Sequence, residues 1–131
     1  MHLFVRILLG LGAVTSIALA LAILFLPGPF YAGYSIATEG RVSLLNELKA
    51  PAMVIFVLGI LQALGALQMS RQRLGLAAGT LLYLGFGTAR IVAIATDGPP
   101  SAALMGIMAF ELVFGLGFAL ALWHRTRVPQ G

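Results

Sequence analysis

The sequence contains no cysteine, and only 9% of its 131 residues are charged. Without thiols there are no disulfides, no cysteine nucleophile and no cysteine-held metal. The two histidines, His2 and His124, stand at opposite ends of the chain, so no metal and no other cofactor is expected. The scarcity of charge excludes more. A soluble domain carries about 25% charged and roughly 45 to 50% apolar residues, whereas this chain is 60% hydrophobic with a mean hydropathy of +1.03. Hydrocarbon, not water, is the natural solvent for such a surface. A length below about 150 residues fits one domain, read here as residues 1–131.

Crossing a hydrocarbon core of about 30 Å takes roughly 20 apolar residues in a helix. Four segments meet this: about 3–26, 44–69, 74–95 and 102–123. Their backbone must be satisfied internally, and the runs lack the in-out alternation of barrel strands, so the fold class is all-α, a bundle of four transmembrane helices. Pro27, Gly28 and Pro29 end the first span, Ser70 to Arg73 makes a polar turn, and Gly98, Pro99 and Pro100 end the third. The one long connection, 27–43, carries Phe30, Tyr31 and Tyr34 and reads as a loop on the membrane surface. Pro51 either begins the true second span or kinks a longer helix. The first apolar stretch exceeds the roughly 7 to 15 residues of a signal-peptide core, so it is expected to remain as a membrane helix.

Arg6, Arg71, Arg73, Arg125 and Arg127, five of the eight basic residues, fall on one side of an even-span bundle with no acid among them. That side is expected to be cytoplasmic, with both termini on it. Glu39, Arg41, Glu47, Lys49 and Asp97 fall on the other. The net charge of +4 and the pI near 10.4 therefore reflect topology, and no nucleic-acid partner is implied. Glycines and alanines such as Gly75, Gly79, Gly59 and Ala63 supply close helix approach where the hydrophobic effect is absent. No strand precedes them, so they do not form a phosphate-binding loop.

The informative residues are the ionisable ones inside spans. Arg90 and Glu111 each lie roughly 9 to 14 Å below the outer surface at 1.5 Å per residue. The short 97–101 connection makes their helices antiparallel neighbours. Each charge alone costs about 2.5 to 3.5 kcal/mol at a span centre, so an ion pair between them is expected. On a helical period Arg90 shares a face with Tyr83 and Asp97, and Asn46, Glu47 and Lys49 arrive in the same outer half. These seven residues form the candidate polar pocket. It is read either as an internal staple fixing helix rotation or as a site that binds a polar ligand or moves a proton.

The segments Asn46-Glu47-Leu48-Lys49-Ala50, Gly87-Thr88-Ala89-Arg90 and Asp97-Gly98-Pro99-Pro100, together with Glu111, resemble a bacterial family of small four-span membrane proteins catalogued as a domain of unknown function. Lys49 stands where arginine is expected. The resemblance covers nearly the whole chain and implies a bacterial inner-membrane, multi-pass protein. It implies no activity. With no histidine or cysteine inside a span to activate a nucleophile, the sequence favours a non-catalytic accessory subunit that associates with lipid, a larger membrane complex or its own copies. The alternative is a ligand-handling protein, a small transporter or an intramembrane enzyme acting on a lipid-like substrate through Arg90 and Glu111.

Overall fold

The computed structural model describes residues 2–127. Among the described residues five α-helices follow one another: α1 (His2–Phe25), α2 (Pro27–Ala32), α3 (Val42–Leu67), α4 (Gln72–Asp97) and α5 (Ala102–Arg127). Four of them, all but α2, are long and apolar enough to cross a membrane. A single 3-10 turn, Met69–Arg71, joins α3 to α4. Large apolar side chains remain on the outside along whole helices, for example Leu81 and Val92 on α4 and Val113, Leu116 and Leu120 on α5. A water-soluble monomer does not leave such continuous apolar faces uncovered.

The start of α3, both ends of α4 and the end of α5 extend past the apolar spans because polar residues there continue the same hydrogen-bond ladder. Pro51 lies inside α3, which runs unbroken from Val42, so the longer-helix alternative holds. The first connection differs from a plain loop: Pro27 and Pro29 open α2. Proline suits a first turn because its fixed φ is helical and the N–H it lacks would be unpaired there. Gly98 ends α4 with φ 94° and ψ 175°, a conformation that a Cβ makes costly. Gly98→Ala is expected to lower unfolding stability by about 1 to 3 kcal/mol in a detergent titration. Gly106→Ala, where an added methyl meets nothing within 4 Å, is the neutral control.

α1 packs chiefly on α3, α3 on α4, and α4 on α5. Small residues set each of these contacts. A Cβ on Gly59 of α3 would stand 2.9 Å from Ile17 of α1, and one on Gly75 of α4 would stand 3.1 Å from the Gly65 Cα of α3. Between α4 and α5 the notches are reciprocal: Leu112 fills the space over Gly87, and Leu84 fills the space over Gly115, each 2.8 Å from the hypothetical Cβ. Phe118, wholly buried, closes the centre against Gly12 of α1 and Gly79 of α4. Gly10 and Gly85, by contrast, face open space and notch nothing within the bundle. The buried residues of α5, Glu111, Gly115 and Phe118, follow the spacing of a single helical stripe.

At the basic end, Arg6 Nε donates to the Ala66 carbonyl (3.0 Å) and Arg73 Nη2 to the Arg125 carbonyl (3.0 Å). Both acceptors lie in the last turn of a helix, where carbonyls lack intrahelical partners and a cation complements the dipole. Arg125 Nη2 also meets His2 Nδ1 at 2.7 Å. The start of α1, the α3–α4 turn and the end of α5 thus share one end of the bundle.

Candidate functional site

Arg90 and Glu111 face each other across the α4–α5 contact. Arg90 Nε donates to Glu111 Oε2 at 2.8 Å and Nη2 donates to Oε1 at 3.3 Å, a two-bond salt bridge. Glu111 is buried, and the guanidinium side chain is 30% exposed. The reciprocal leucine-on-glycine contacts explain why they meet. Gly87 lies one turn before Arg90 and Leu112 directly follows Glu111, so the close approach that seats Leu112 also sets the two charges side by side.

A cavity of about 270 Å³ opens beside this pair. Its walls are largely aliphatic and aromatic: Leu19 and Ile23 from α1, Leu48 and Ile55 from α3, Leu82 and Phe86 from α4, Leu104 and Ile107 from α5. Phe30, Tyr31 and Tyr34, from α2 and the turn after it, complete it. The Phe30 ring meets both tyrosines edge to face, with centroids 5.0 and 5.3 Å away. Burial pushes the Tyr31 phenol above its ordinary value of 10.0 against the opposing effect of Arg90, so the hydroxyl stays protonated at neutral pH.

The floor of the cavity is a buried polar chain. Tyr83 hydroxyl donates to the Gly12 carbonyl (2.9 Å) and lies 3.0 Å from Ser16 Oγ, which also reaches that carbonyl at 2.7 Å. Gln62 Nε2 donates to Ser16 Oγ (3.3 Å) and to the Leu58 carbonyl (3.2 Å). Three spans are tied together by groups that have no water to turn to in a bilayer. Tyr83 additionally stacks on Phe118 at 5.6 Å and meets Phe114 edge-on at 4.9 Å. Each ring fills core volume and orders the next.

Of the seven residues expected at the pocket, Tyr83, Arg90 and Glu111 line the cavity. Asn46, Glu47, Lys49 and Asp97 do not. The phase of α3 explains the first three: the buried positions Ala52, Ile55, Gly59 and Gln62 turn Leu48 inward, which leaves Asn46 and Glu47 exposed and Lys49 half-buried on the flank. Asp97 ends α4 about 10 Å along the axis from Arg90, exposed, with its carboxylate accepting from the Thr96 hydroxyl at 3.0 Å.

From sequence, Ser16 and Gln62 are expected to hydrogen-bond to neighbouring backbone, as they do to the Gly12 and Leu58 carbonyls; what sequence reasoning missed is the contact of Ser16 with Gln62 and Tyr83 across helices, and the aromatic closure. Ser16 and Gln62 were readable as mid-span polar residues in helical phase with Gly12 and Gly59, where backbones come closest. The Pro-Gly-Pro opening of α2 was a helix-start signal rather than only a stop. Among the described residues no three histidine, aspartate or glutamate side chains gather as metal ligands.

The fold and site define a helical membrane-type bundle with an internal charge pair beside an apolar cavity. Residues 4–123 match the family described as Domain of unknown function (DUF4345), and the chain belongs to it. No curated protein and no solved structure matches the chain.

Proposed function

We propose that this protein is a multi-pass component of a bacterial inner membrane that binds a small amphiphile in the cavity beside Arg90 and Glu111. The observation that carries the reading is the cavity itself. A concave, mostly apolar pocket with a few convergent polar groups is the usual form of a small-molecule site, and about 300 to 1,000 Å³ is its usual size. At about 270 Å³ this one suits a slender molecule or a single chain, not a whole two-chain phospholipid. A purely structural staple needs no space beside it. The location of five arginines at the end shared by both termini supports a cytoplasmic placement of that end, by the bias of basic residues toward the inside.

Binding and release of such a molecule, without covalent chemistry, fits the groups present. The pair supplies polar recognition, the aliphatic walls take the tail, and the aromatic cluster of α2 covers the outer side. The protein purified in mild detergent is expected to carry a bound amphiphile detectable by native mass spectrometry. Ile107→Trp, which places an indole in the cavity, should lose it while unfolding at a similar temperature. Wild-type protein that carries nothing, and binds no more added single-chain amphiphile than Ile107→Trp does, would refute the proposal.

A further inference from the structure

Resting on that reading, we infer that Glu111 is the specificity determinant of the cavity: by cancelling the charge of Arg90 it selects an uncharged single-chain amphiphile whose headgroup presents a carbonyl acceptor, and rejects anionic ones. An arginine has five N–H donors. Two are engaged by Glu111, and the remaining three have no partner among the described residues. Arg90 lines the cavity, so the pocket offers unspent donors. The hydroxyl protons of Ser16 and Tyr83 are already directed at the Gly12 carbonyl. Recognition therefore calls for an acceptor on the ligand.

The sign of charge follows from the pair. Taken alone, a guanidinium in an apolar wall would draw a fatty carboxylate or a phosphate. Here both carboxylate oxygens of Glu111 already occupy that role, at 2.8 and 3.3 Å. A second anion would meet an electrostatically neutral pair and the lone pairs of a neighbouring carboxylate, after leaving its own hydration behind. An ester, ketone or amide carbonyl takes the free N–H groups without that cost. The apolar walls fit one chain.

Methyl dodecanoate and dodecanoate share one acyl chain and differ in headgroup charge and a single ester methyl, and serve as probes. Wild type, Glu111→Gln and Ile107→Trp are reconstituted in nanodiscs of ether-linked lipid, which offer no ester carbonyl of their own. Probe occupancy is read by native mass spectrometry at alkaline pH, where dodecanoate is ionised. Wild type is expected to bind the ester about tenfold more tightly than the carboxylate, and Glu111→Gln to invert the preference, because an uncompensated charge a few ångströms away outweighs tenfold in a low-dielectric site. Ile107→Trp should bind neither.

Tighter carboxylate binding in wild type overturns the inference without need of any variant. So does an unchanged ratio in folded Glu111→Gln. In both cases amphiphile binding in the cavity survives. Absence of Ile107-dependent binding for both probes overturns the cavity reading instead. A parallel series in ester-linked lipid identifies the source of the carbonyl. Lower methyl dodecanoate occupancy there means that a two-chain glycerolipid of the bilayer competes for the cavity and overturns the single-chain ligand; equal occupancy supports a free amphiphile.

Discussion

Glu111→Ala is expected to destabilise the bundle by about 3 kcal/mol, the lower end of the cost of breaking a buried ion pair. The lower end applies because the Arg90 side chain is 30% exposed while that of Glu111 is 10% exposed. The two halves of the pair are not equivalent. A carboxyl left alone in an apolar site can take up a proton, but a guanidinium stays charged. Glu111→Ala should therefore cost more than Arg90→Ala. The double variant Arg90→Met with Glu111→Leu should recover most of the loss, since paired hydrophobic replacements of buried ions are often neutral or better. Unfolding of the four proteins in a graded denaturing-detergent series measures this. A double variant no more stable than Glu111→Ala would show that the cost lies in lost packing and not in the stranded charge.

Phe118→Ala should cost a similar amount for a different reason. Phe118 is fully buried, with its ring seated between Gly12 and Gly79 and stacked on Tyr83. In soluble proteins such a truncation costs about 3 to 5 kcal/mol. Part of that range is transfer from water, which contributes little between helices already solvated by lipid. The remainder is lost dispersion around a void, so about 3 kcal/mol is expected here. Gly79→Ala tests the same contact from the other side. Its methyl would stand 2.7 Å from the Phe118 Cγ, closer than carbon atoms tolerate, and the ring is met on other sides by Gly12, Tyr83 and Phe114. The combination Phe118→Leu with Gly79→Ala should be more stable than Gly79→Ala alone, read in the same denaturing-detergent series. If the glycine variant is neutral, the ring is less confined than its burial implies.

The number and type of long helices were legible because length and apolarity decide them without tertiary detail. The Arg90–Glu111 pair was legible for a related reason: two charges at matched depth on neighbouring antiparallel helices have little alternative. What failed was rotational phase. Asn46, Glu47 and Lys49 lie at the right height, but α3 runs straight through Pro51 and its buried positions turn Leu48 inward in their place. Apolar residues surround the axis of a membrane helix, so polarity alone does not mark its inner face. The interhelical notches at Gly59 and Gly65 and the Gln62 hydrogen bond to Ser16 fix the rotation, and they act through partners not visible in one-dimensional order. Asp97 failed because an exposed helix end needs no interior partner. The pocket was legible as a place beside Arg90 and Glu111, but its apolar walls and its closure by α1 and α2 were not, because they depend on how the helices pack and no residue pattern encodes that.

The interlocked leucines at Gly87 and Gly115 bear on how the site could ever open. Sliding α5 along α4 by one turn would set Leu84 against Leu112 or Phe118, where no recess receives it. Gradual shear between these two helices is thereby blocked, and the polar pair is held on a rigid frame. A molecule passing this contact would do so by reorientation of the arginine, glutamate and α2 aromatic side chains, rotamer changes of picoseconds to nanoseconds, and not by the slower register shifts of these two helices.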